Sequence, residues 1–541
     1  MRNKGFTLIE LLAVIIILAI IALIATPIVL NVVNNAKESA RKSSVAGYAD
    51  AVKLHAYEER FKNNGIVPTI DDTFLSAVNY KGDSVTCSKV LNSSTYGVIL
   101  NECTVAINTT KYCFLSGKVY ACDDTNFITT YNKALLEISD ASSGVYNEIK
   151  GVNKPQLASG MTPIKWIDGV ETETTSSDPD WYDYTNKLWA NAKTADGSYW
   201  VWIPRYAYKI STGWHTATSG TIDIIFLKND TEENISNTEI QTSGYSTVGT
   251  NTSKAYFLEP AFQNSTGNTK YGFWVAKYEA SVSDITNACY TTANSSNCNK
   301  TTLTPKFVPN VASWRFATIG NQYIVASDMS SNASYGWTNG TVDTHMMTNY
   351  EWGTVAYLSN STYGKNSVVE MNTSNMRYTG GGISDAYKTN VGQSTTGNIT
   401  GIYDMSGGSF EYVAAYANNN DAILSTNGAS LLNATSNKNI YTGSGTSSAN
   451  TYKANKNIYG DAIYETSFET YDNTDCSMTS TAGRCNRSSW NDNWSYMLVS
   501  GEVLARGGDY SAGSFSGIYN FHDNSGLATD YSFRVVSALK Q

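Results

Sequence analysis

Arg2-Asn3-Lys4-Gly5-Phe6-Thr7-Leu8-Ile9-Glu10-Leu11-Leu12-Ala13-Val14-Ile15-Ile16-Ile17-Leu18-Ala19-Ile20-Ile21-Ala22-Leu23-Ile24 opens the chain, and from Phe6 to Ile24 only Thr7 and Glu10 are polar. As a helix this run is roughly 28 Å long, enough to cross the hydrocarbon core of a bilayer. An ordinary secretory signal is a poor fit, because the run outlasts a normal h-region and Leu23 is unsuited to the small-residue position of a site ending at Ala25. An acid near the start of an apolar span costs a few kcal/mol and marks function, so Glu10 needs a reason.

Beyond Pro27 the pattern changes. Asn31, Asn34, Lys37, Glu38, Arg41 and Lys42 bring polarity, while Val45, Tyr48, Val52 and Ala56 recur at helical spacing as one apolar stripe. The second half is therefore expected to be an amphipathic helix leaning on a folded unit. Asn63-Asn64-Gly65 supplies the stop, glycine being at home in the left-handed cap conformation. A single rod from Phe6 to about Lys62 would be roughly 85 Å long.

Gly5-Phe6-Thr7-Leu8-Ile9-Glu10-Leu11-Leu12 closely resembles the prepilin signature of type IV pilins and type II secretion pseudopilins. The resemblance implies cleavage by prepilin peptidase between Gly5 and Phe6, N-methylation of Phe6, and pairing of Glu10 with the terminal amine of a neighbouring subunit, which offsets the desolvation of both charges. It also implies a bend or local melting at Pro27, where proline lacks the backbone donor. The expected partners are the membrane before assembly and other pilin subunits after it.

With 541 residues the chain has room for two or more domains. Charged residues are 16% of it, the net charge is -9, and 37 Tyr and 12 Trp sit among Asn, Ser, Thr and Gly. Without basic blocks there is no footprint for nucleic acid. The eight cysteines fall into local clusters: Cys87, Cys103, Cys113 and Cys122; Cys289 and Cys298; Cys476 and Cys485. No C-x-x-C pair occurs, so disulfides in an oxidising compartment are the expected use rather than zinc, with the connectivity of the first four left open.

Three short strands are expected after the rod: Tyr96-Gly97-Val98-Ile99-Leu100, Lys111-Tyr112-Cys113-Phe114-Leu115 and Lys118-Val119-Tyr120-Ala121-Cys122. Ala134-Leu135-Leu136-Glu137-Ile138 adds a short helix. The fold class is α+β, with a leader at 1–5, the assembly helix at 6–62, a pilin head sheet at 63–130, a connector at 131–159 and a large domain at 160–541.

From about Pro155 the vocabulary turns to aromatic-rich strands: Tyr199-Trp200-Val201-Trp202-Ile203-Pro204-Arg205-Tyr206 and Gly272-Phe273-Trp274-Val275-Ala276-Lys277-Tyr278-Glu279, then Thr348-Asn349-Tyr350-Glu351-Trp352-Gly353-Thr354-Val355-Ala356-Tyr357. Gly401-Ile402-Tyr403-Asp404-Met405-Ser406-Gly407-Gly408-Ser409-Phe410-Glu411-Tyr412-Val413, Arg506-Gly507-Gly508-Asp509-Tyr510 and Phe533-Arg534-Val535-Val536 follow. Taken alone, these residues read as structural: large rings bury area and glycine pairs permit turns. Residues 211–252 and 418–457, polar and turn-rich, read as insertions outside the core.

In order and spacing the series resembles the sulfatase-modifying-factor, or formylglycine-generating-enzyme, superfamily, a variant of the C-type-lectin-like fold. That family's catalytic cysteines lie between the Arg-Gly-Gly and Phe-Arg motifs, and here no cysteine occurs from Asp509 to Ser532. The four histidines, His55, His215, His345 and His522, are scattered, and no G-x-S-x-G, H-E-x-x-H or P-loop pattern appears. His522 beside Asp523 is a poor dyad, since sequence neighbours point apart. The resemblance further implies structural calcium through Glu411, although Gly408 replaces the family's usual asparagine. The calcium–sugar motifs of true C-type lectins are missing, Glu259-Pro260-Ala261 being the nearest.

The expected function is thus a non-enzymatic type IV pilus subunit, minor or at the tip, at the plasma membrane and then the cell surface, whose head binds a glycan or glycoprotein. The alternatives are a type II secretion pseudopilin and a surface-tethered enzyme on a degenerate scaffold.

Overall fold

The computed structural model describes residues 7–62, 70, 72–82, 84–93, 97–106, 110–140, 145–147, 150–242, 255–263, 269–283, 289–290, 295–418, 422–443, 448–467, 489–495 and 502–540. The chain divides into two compact units, residues 1–143 and 144–541, the second of which takes in the stretch from 144 to 159. A long N-terminal helix followed by a large β-rich domain of several small sheets and helices makes the fold α+β.

The first unit is built on one helix, Leu8–Lys62. Its side chains from Leu8 through Val33 lie almost entirely in the open, which only lipid or neighbouring helices can offset. The stripe then turns inward. Val45, Tyr48, Ala49 and Val52 are buried against Val98, Leu100, Tyr112 and Phe114 of an antiparallel sheet. That sheet runs in sequence order through Val85–Ser93, Gly97–Val105, Tyr112–Leu115 and Lys118–Ala121. Tyr112 donates its hydroxyl to Glu38 Oε2 at 2.6 Å, fixing the helix to the sheet. The three strands match expectation; the expected helix stop at Asn63-Asn64-Gly65 lies outside the described residues. The first strand, Val85–Ser93, and the length of the helix Thr125–Asp140 were not anticipated.

Helix geometry runs unbroken through Pro27, without local melting. Proline removes the donor to the Leu23 carbonyl, and the Thr26 hydroxyl, one residue before it, donates to the neighbouring Ala22 carbonyl at 2.5 Å.

In the second unit a seven-stranded sheet is ordered Val342–Met346, Val535–Leu539, Gly272–Ala276, Tyr199–Pro204, Asn191–Lys193, Thr162–Ile167, Val170–Glu173. The last strand of the chain thus sits between two interior ones, pairing Ser537 with both Trp274 and Thr344. A second sheet joins Asn439–Tyr441, Glu411–Ala417, Val503–Gly507 and Gly517–Asn524, with Ser532–Phe533 added beside Glu411–Ala417. Indoles fill the space between elements: Trp189, Trp200, Trp202, Trp274, Trp314, Trp352 and Trp490 are almost wholly buried. Each removes ~200 Å² from water, about 5 kcal/mol of gross burial before entropy. The ring N–H groups find acceptors on other segments, as with Trp202 on the Asn153 carbonyl at 3.2 Å, Trp274 on the Gln156 carbonyl at 2.7 Å and Trp200 on Thr194 Oγ1 at 3.1 Å. Irregular backbone is thereby tied down without long helices.

Two expectations are overturned. Residues 348–357, grouped with the strands, form the helix Asn349–Ser359. Thr348 and Glu351 make a reciprocal capping box, in which Glu351 Oε2 accepts the Thr348 N–H at 2.9 Å. Because nearly every side chain of that helix is buried, no amphipathic period betrays it. The supposed insertions also reach the core: Ile222, Ile224, Phe226 and Leu227, and later Leu424, Leu431, Tyr441 and Tyr452, are buried there. The alternation of Ile222, Ile224 and Phe226 on the strand Thr221–Phe226 is a period of two, hidden by polar composition averaged over the longer stretch.

Glu351 has a second task. Its carboxylate accepts from His345 Nε2 at 2.9 Å and lies 3.2 Å from Lys270 Nζ, while His345 Nδ1 is 2.8 Å from Asp343 Oδ2. Burial alone would lower the imidazole pKa, but the Glu351 and Asp343 charges outweigh it and raise the ring to about 9. For Glu351 burial pushes up, and the His345 and Lys270 charges reverse it and hold the carboxyl well below its usual range. A raised histidine contributes fully below its unfolded pKa of about 6.5. That contribution is lost as pH rises through about 9. Removing one member of such a buried pair costs ~3–5 kcal/mol. His345→Gln is therefore expected to lower the denaturant-derived stability by that amount near neutrality and to flatten the loss of stability on the alkaline side; an unchanged alkaline limb contradicts the imidazolium assignment.

Candidate functional site

At the N-terminus, Gly5 and Phe6 lie outside the described residues. Glu10 stands in the first turn of the long helix, where its Oε2 accepts both the backbone N–H and the hydroxyl of Thr7 at 2.9 Å. The Glu10 N–H returns to Thr7 Oγ1 at 3.3 Å. Thr7 and Glu10 are thus a capping box at the start of the helix, a role for Thr7 that the serine/threonine-to-glutamate spacing signals. In the single subunit this internal bond holds the carboxylate that a neighbour's cation would need.

Six cysteines pair within the described residues. Cys87–Cys103 joins cross-strand partners with Cα atoms 3.9 Å apart, Cys113–Cys122 spans 5.0 Å, and Cys289–Cys298 spans 5.3 Å. Cys476 and Cys485 lie outside them.

In the second unit the motif residues turn inward. Arg534, fully buried, donates through Nη2 and Nε to the two oxygens of Glu411 at 2.7 and 3.1 Å, and to the carbonyls of Ala276 and Tyr403 at 2.7 and 2.9 Å. Arg506 donates to Asn349 Oδ1 at 3.0 Å and to the carbonyls of Ile518 and Ala462 at 3.1 and 3.2 Å. Both act as struts. Glu411 therefore spends both oxygens on a guanidinium, and Gly408 offers no side-chain oxygen, so the residues present do not fit a calcium ion at this position.

Nearby lies a partly exposed cluster drawn from three segments. Arg377 donates to Asp509 Oδ2 at 3.0 Å and to Asp530 Oδ2 at 2.6 Å, and its guanidinium stacks 4.7 Å from the Tyr510 ring. Asp530 leads into Tyr531, whose ring stacks on Tyr412 at 4.8 Å and on Phe410 at 5.1 Å. Arg315 lies close enough to Arg377, Asp509 and Asp530 for burial first, and the Arg377 charge second, to lower its pKa to about 10. The backbone carbonyl of Tyr290, next to Cys289, accepts from Arg315 Nη2 at 2.7 Å, and Tyr290 stays 38% exposed. Tyr510 and Asp509 were visible as a motif; Arg377 and Asp530 come from distant stretches with no local signal.

The histidines do not converge. His345 is clamped between two carboxylates, so both nitrogens carry protons and neither can accept one. His215 Nδ1 lies 2.8 Å from the Tyr464 carbonyl and from the Tyr452 hydroxyl. His522 Nε2 meets the Tyr531 hydroxyl at 2.9 Å beside Phe410, and Asp523 follows it on the strand Gly517–Asn524, pointing to the other face.

Residues 1–26 match the prokaryotic N-terminal methylation motif. Carried on the apolar start of the helix Leu8–Lys62, this motif supports a type IV pilin- or pseudopilin-like subunit and implies membrane anchoring, processing by prepilin peptidase and assembly with other pilin subunits. No curated protein matches the chain.

Glu10→Val removes both the helix cap and the acid from the apolar span. It is expected to leave membrane insertion intact and to reduce the protein recovered in sheared surface filaments; wild-type recovery contradicts a pairing role for Glu10.

Proposed function

We propose that the chain is a minor or tip-located type IV pilus subunit that displays a large, non-catalytic binding head built on a sulfatase-modifying-factor-like scaffold. The observation that carries this reading is the methylation motif at residues 1–26, placed on a helix whose apolar surface is uncovered from Leu8 to Val33 and joined to a second unit of far greater size. A head of that bulk is hard to repeat at every position of a filament, which favours a rare or terminal place. A secretion pseudopilin carries the same kind of N-terminus, but an export piston has no use for so large an aromatic-rich head.

Adhesion is the use this head suits. Loops on a rigid scaffold concentrate binding residues, and Tyr, Asn, Ser and Thr supply amphipathic rings and adaptable hydrogen bonds at low entropic cost. The patch of Arg377, Asp509, Tyr510, Asp530, Phe410 and Tyr290 is the part of the head to which we assign contact with a glycan or glycoprotein. In this reading Arg534 holds Glu411 in place of calcium, and the scaffold works without the family's redox chemistry, in keeping with the lack of cysteine from Asp509 to Ser532.

Cells carrying Arg377→Ala together with Tyr510→Ala are expected to make filaments in normal number and to attach several-fold less to a glycan-coated surface; equal attachment across a broad glycan and matrix-protein panel removes the adhesive reading. The purified full chain, given copper and a sulfatase-type peptide, is expected to yield no formylglycine, and the aldehyde seen by mass spectrometry restores the enzyme alternative.

A further inference from the structure

Three carboxyl groups and one guanidinium share a fully buried space where four segments meet. Asp404 accepts from Asn372 Nδ2 and Gly380 N at 2.9 Å and from Glu279 N at 3.4 Å; burial raises its pKa, and the Arg534 charge and these donors work against that in favour of the carboxylate. Glu411 is paired with Arg534 through both oxygens. Glu279, 1% exposed, differs from both: Oε1 accepts the Ser409 N–H at 2.9 Å, and Oε2 is buried with no hydrogen-bond partner among the described residues. The Arg534 nitrogens are already committed to Glu411, Ala276 and Tyr403. The charges facing Glu279 are Asp404, Glu411 and Arg534, with Arg315 from the neighbouring segment. A third negative charge beside one committed cation would leave a bare buried anion, the most expensive state available to the cluster.

We propose that Glu279 is held as a neutral carboxylic acid in the native head and acts as a proton-dependent latch on the Gly407-Gly408-Ser409 turn. Burial, then the Asp404 and Glu411 charges, push this carboxyl well above the ordinary glutamate range, against the Ser409 N–H and Arg534. The turn rests directly on it. Gly408 has φ +74°, and a Cβ there would stand 2.6 Å from Glu279 Oε1. The same turn carries the proposed contact patch, because Tyr510 N donates to the Gly408 carbonyl at 3.0 Å and Gly407 N to the Gly507 carbonyl at 3.0 Å. Loss of the proton sets Glu279 against Asp404 and Glu411 and loosens the turn. The latch follows from the packing of these residues and stands whether or not the patch binds a glycan.

The sign is opposite to that of a salt-bridged acid. A glutamate whose folded pKa is raised contributes fully below its unfolded value of about 4.3, and that contribution is lost as pH rises toward the folded value. The test is denaturant unfolding of the full chain in detergent across pH, comparing wild type with Glu279→Gln, the neutral isostere. Above pH ~5 the unfolding constant of wild type relative to the variant is expected to rise about tenfold per pH unit, the slope of one proton, up to the folded pKa. In parallel, amide exchange at residues 407–410, corrected for its intrinsic base catalysis, is expected to climb with pH in wild type and to stay level in Glu279→Gln. A ratio of unfolding constants that is flat or falls with pH overturns the protonated acid, and exchange that climbs equally in both proteins overturns the latch. Glu279→Met serves as a second neutral variant; if neither folds at neutral pH, the site requires a carboxylate and the proposal is wrong.

Discussion

The pairing of Arg534 with Glu411 is the constraint on which the second unit depends. Arg534 stands between the last two strands of the chain, Glu411 begins a strand of the other sheet, and the remaining donors of the guanidinium hold the Ala276 and Tyr403 carbonyls. One side chain thus fixes two sheets and the loop between them. A buried ion pair contributes little against an apolar substitute of equal volume, but losing one partner costs ~3–5 kcal/mol. Its value here is geometric: four segments are held in a single register by a fork whose five N–H groups tolerate few other arrangements.

Around that strut the unit is stabilised mainly by rings. Indoles and phenols bury area that regular elements would otherwise have to bury, and their polar tips tie one element to another, as Tyr206 does on the Thr354 carbonyl and Tyr184 on the Trp202 carbonyl at 2.6 Å each. A fold made this way gives its surface loops fixed positions, which a binding head needs. The first unit follows the opposite logic. Its helix exposes an apolar length that lipid or neighbouring helices must cover, and only from Glu38 onward does it use its own sheet as a partner.

The first unit was largely legible because its signals are local: an uninterrupted apolar run, a heptad-like stripe, and strands marked by aromatic and β-branched residues. At Pro27 the helix does not melt, since one missing N–H does not outweigh a helix of this length. In the second unit the aromatic motifs located the strands Tyr199–Pro204 and Gly272–Ala276. They failed at residues 348–357, where complete burial erases periodicity and only the Thr348–Glu351 spacing pointed to a helix. The clusters that matter electrostatically were out of reach. Asp343, His345 and Glu351 are near in sequence, but their geometry needs a strand meeting a helix; Glu279 with Asp404, and Arg377 with Asp530, are brought together by the fold alone.

In the proposed function the second unit stands outside the cell on an assembled filament. Immunogold labelling with antibody against residues 160–541, on intact cells and on sheared filaments, tests this directly. Gold on the filaments, concentrated at their ends, is the predicted result; gold confined to the membrane of cells whose filaments stay unlabelled would contradict it.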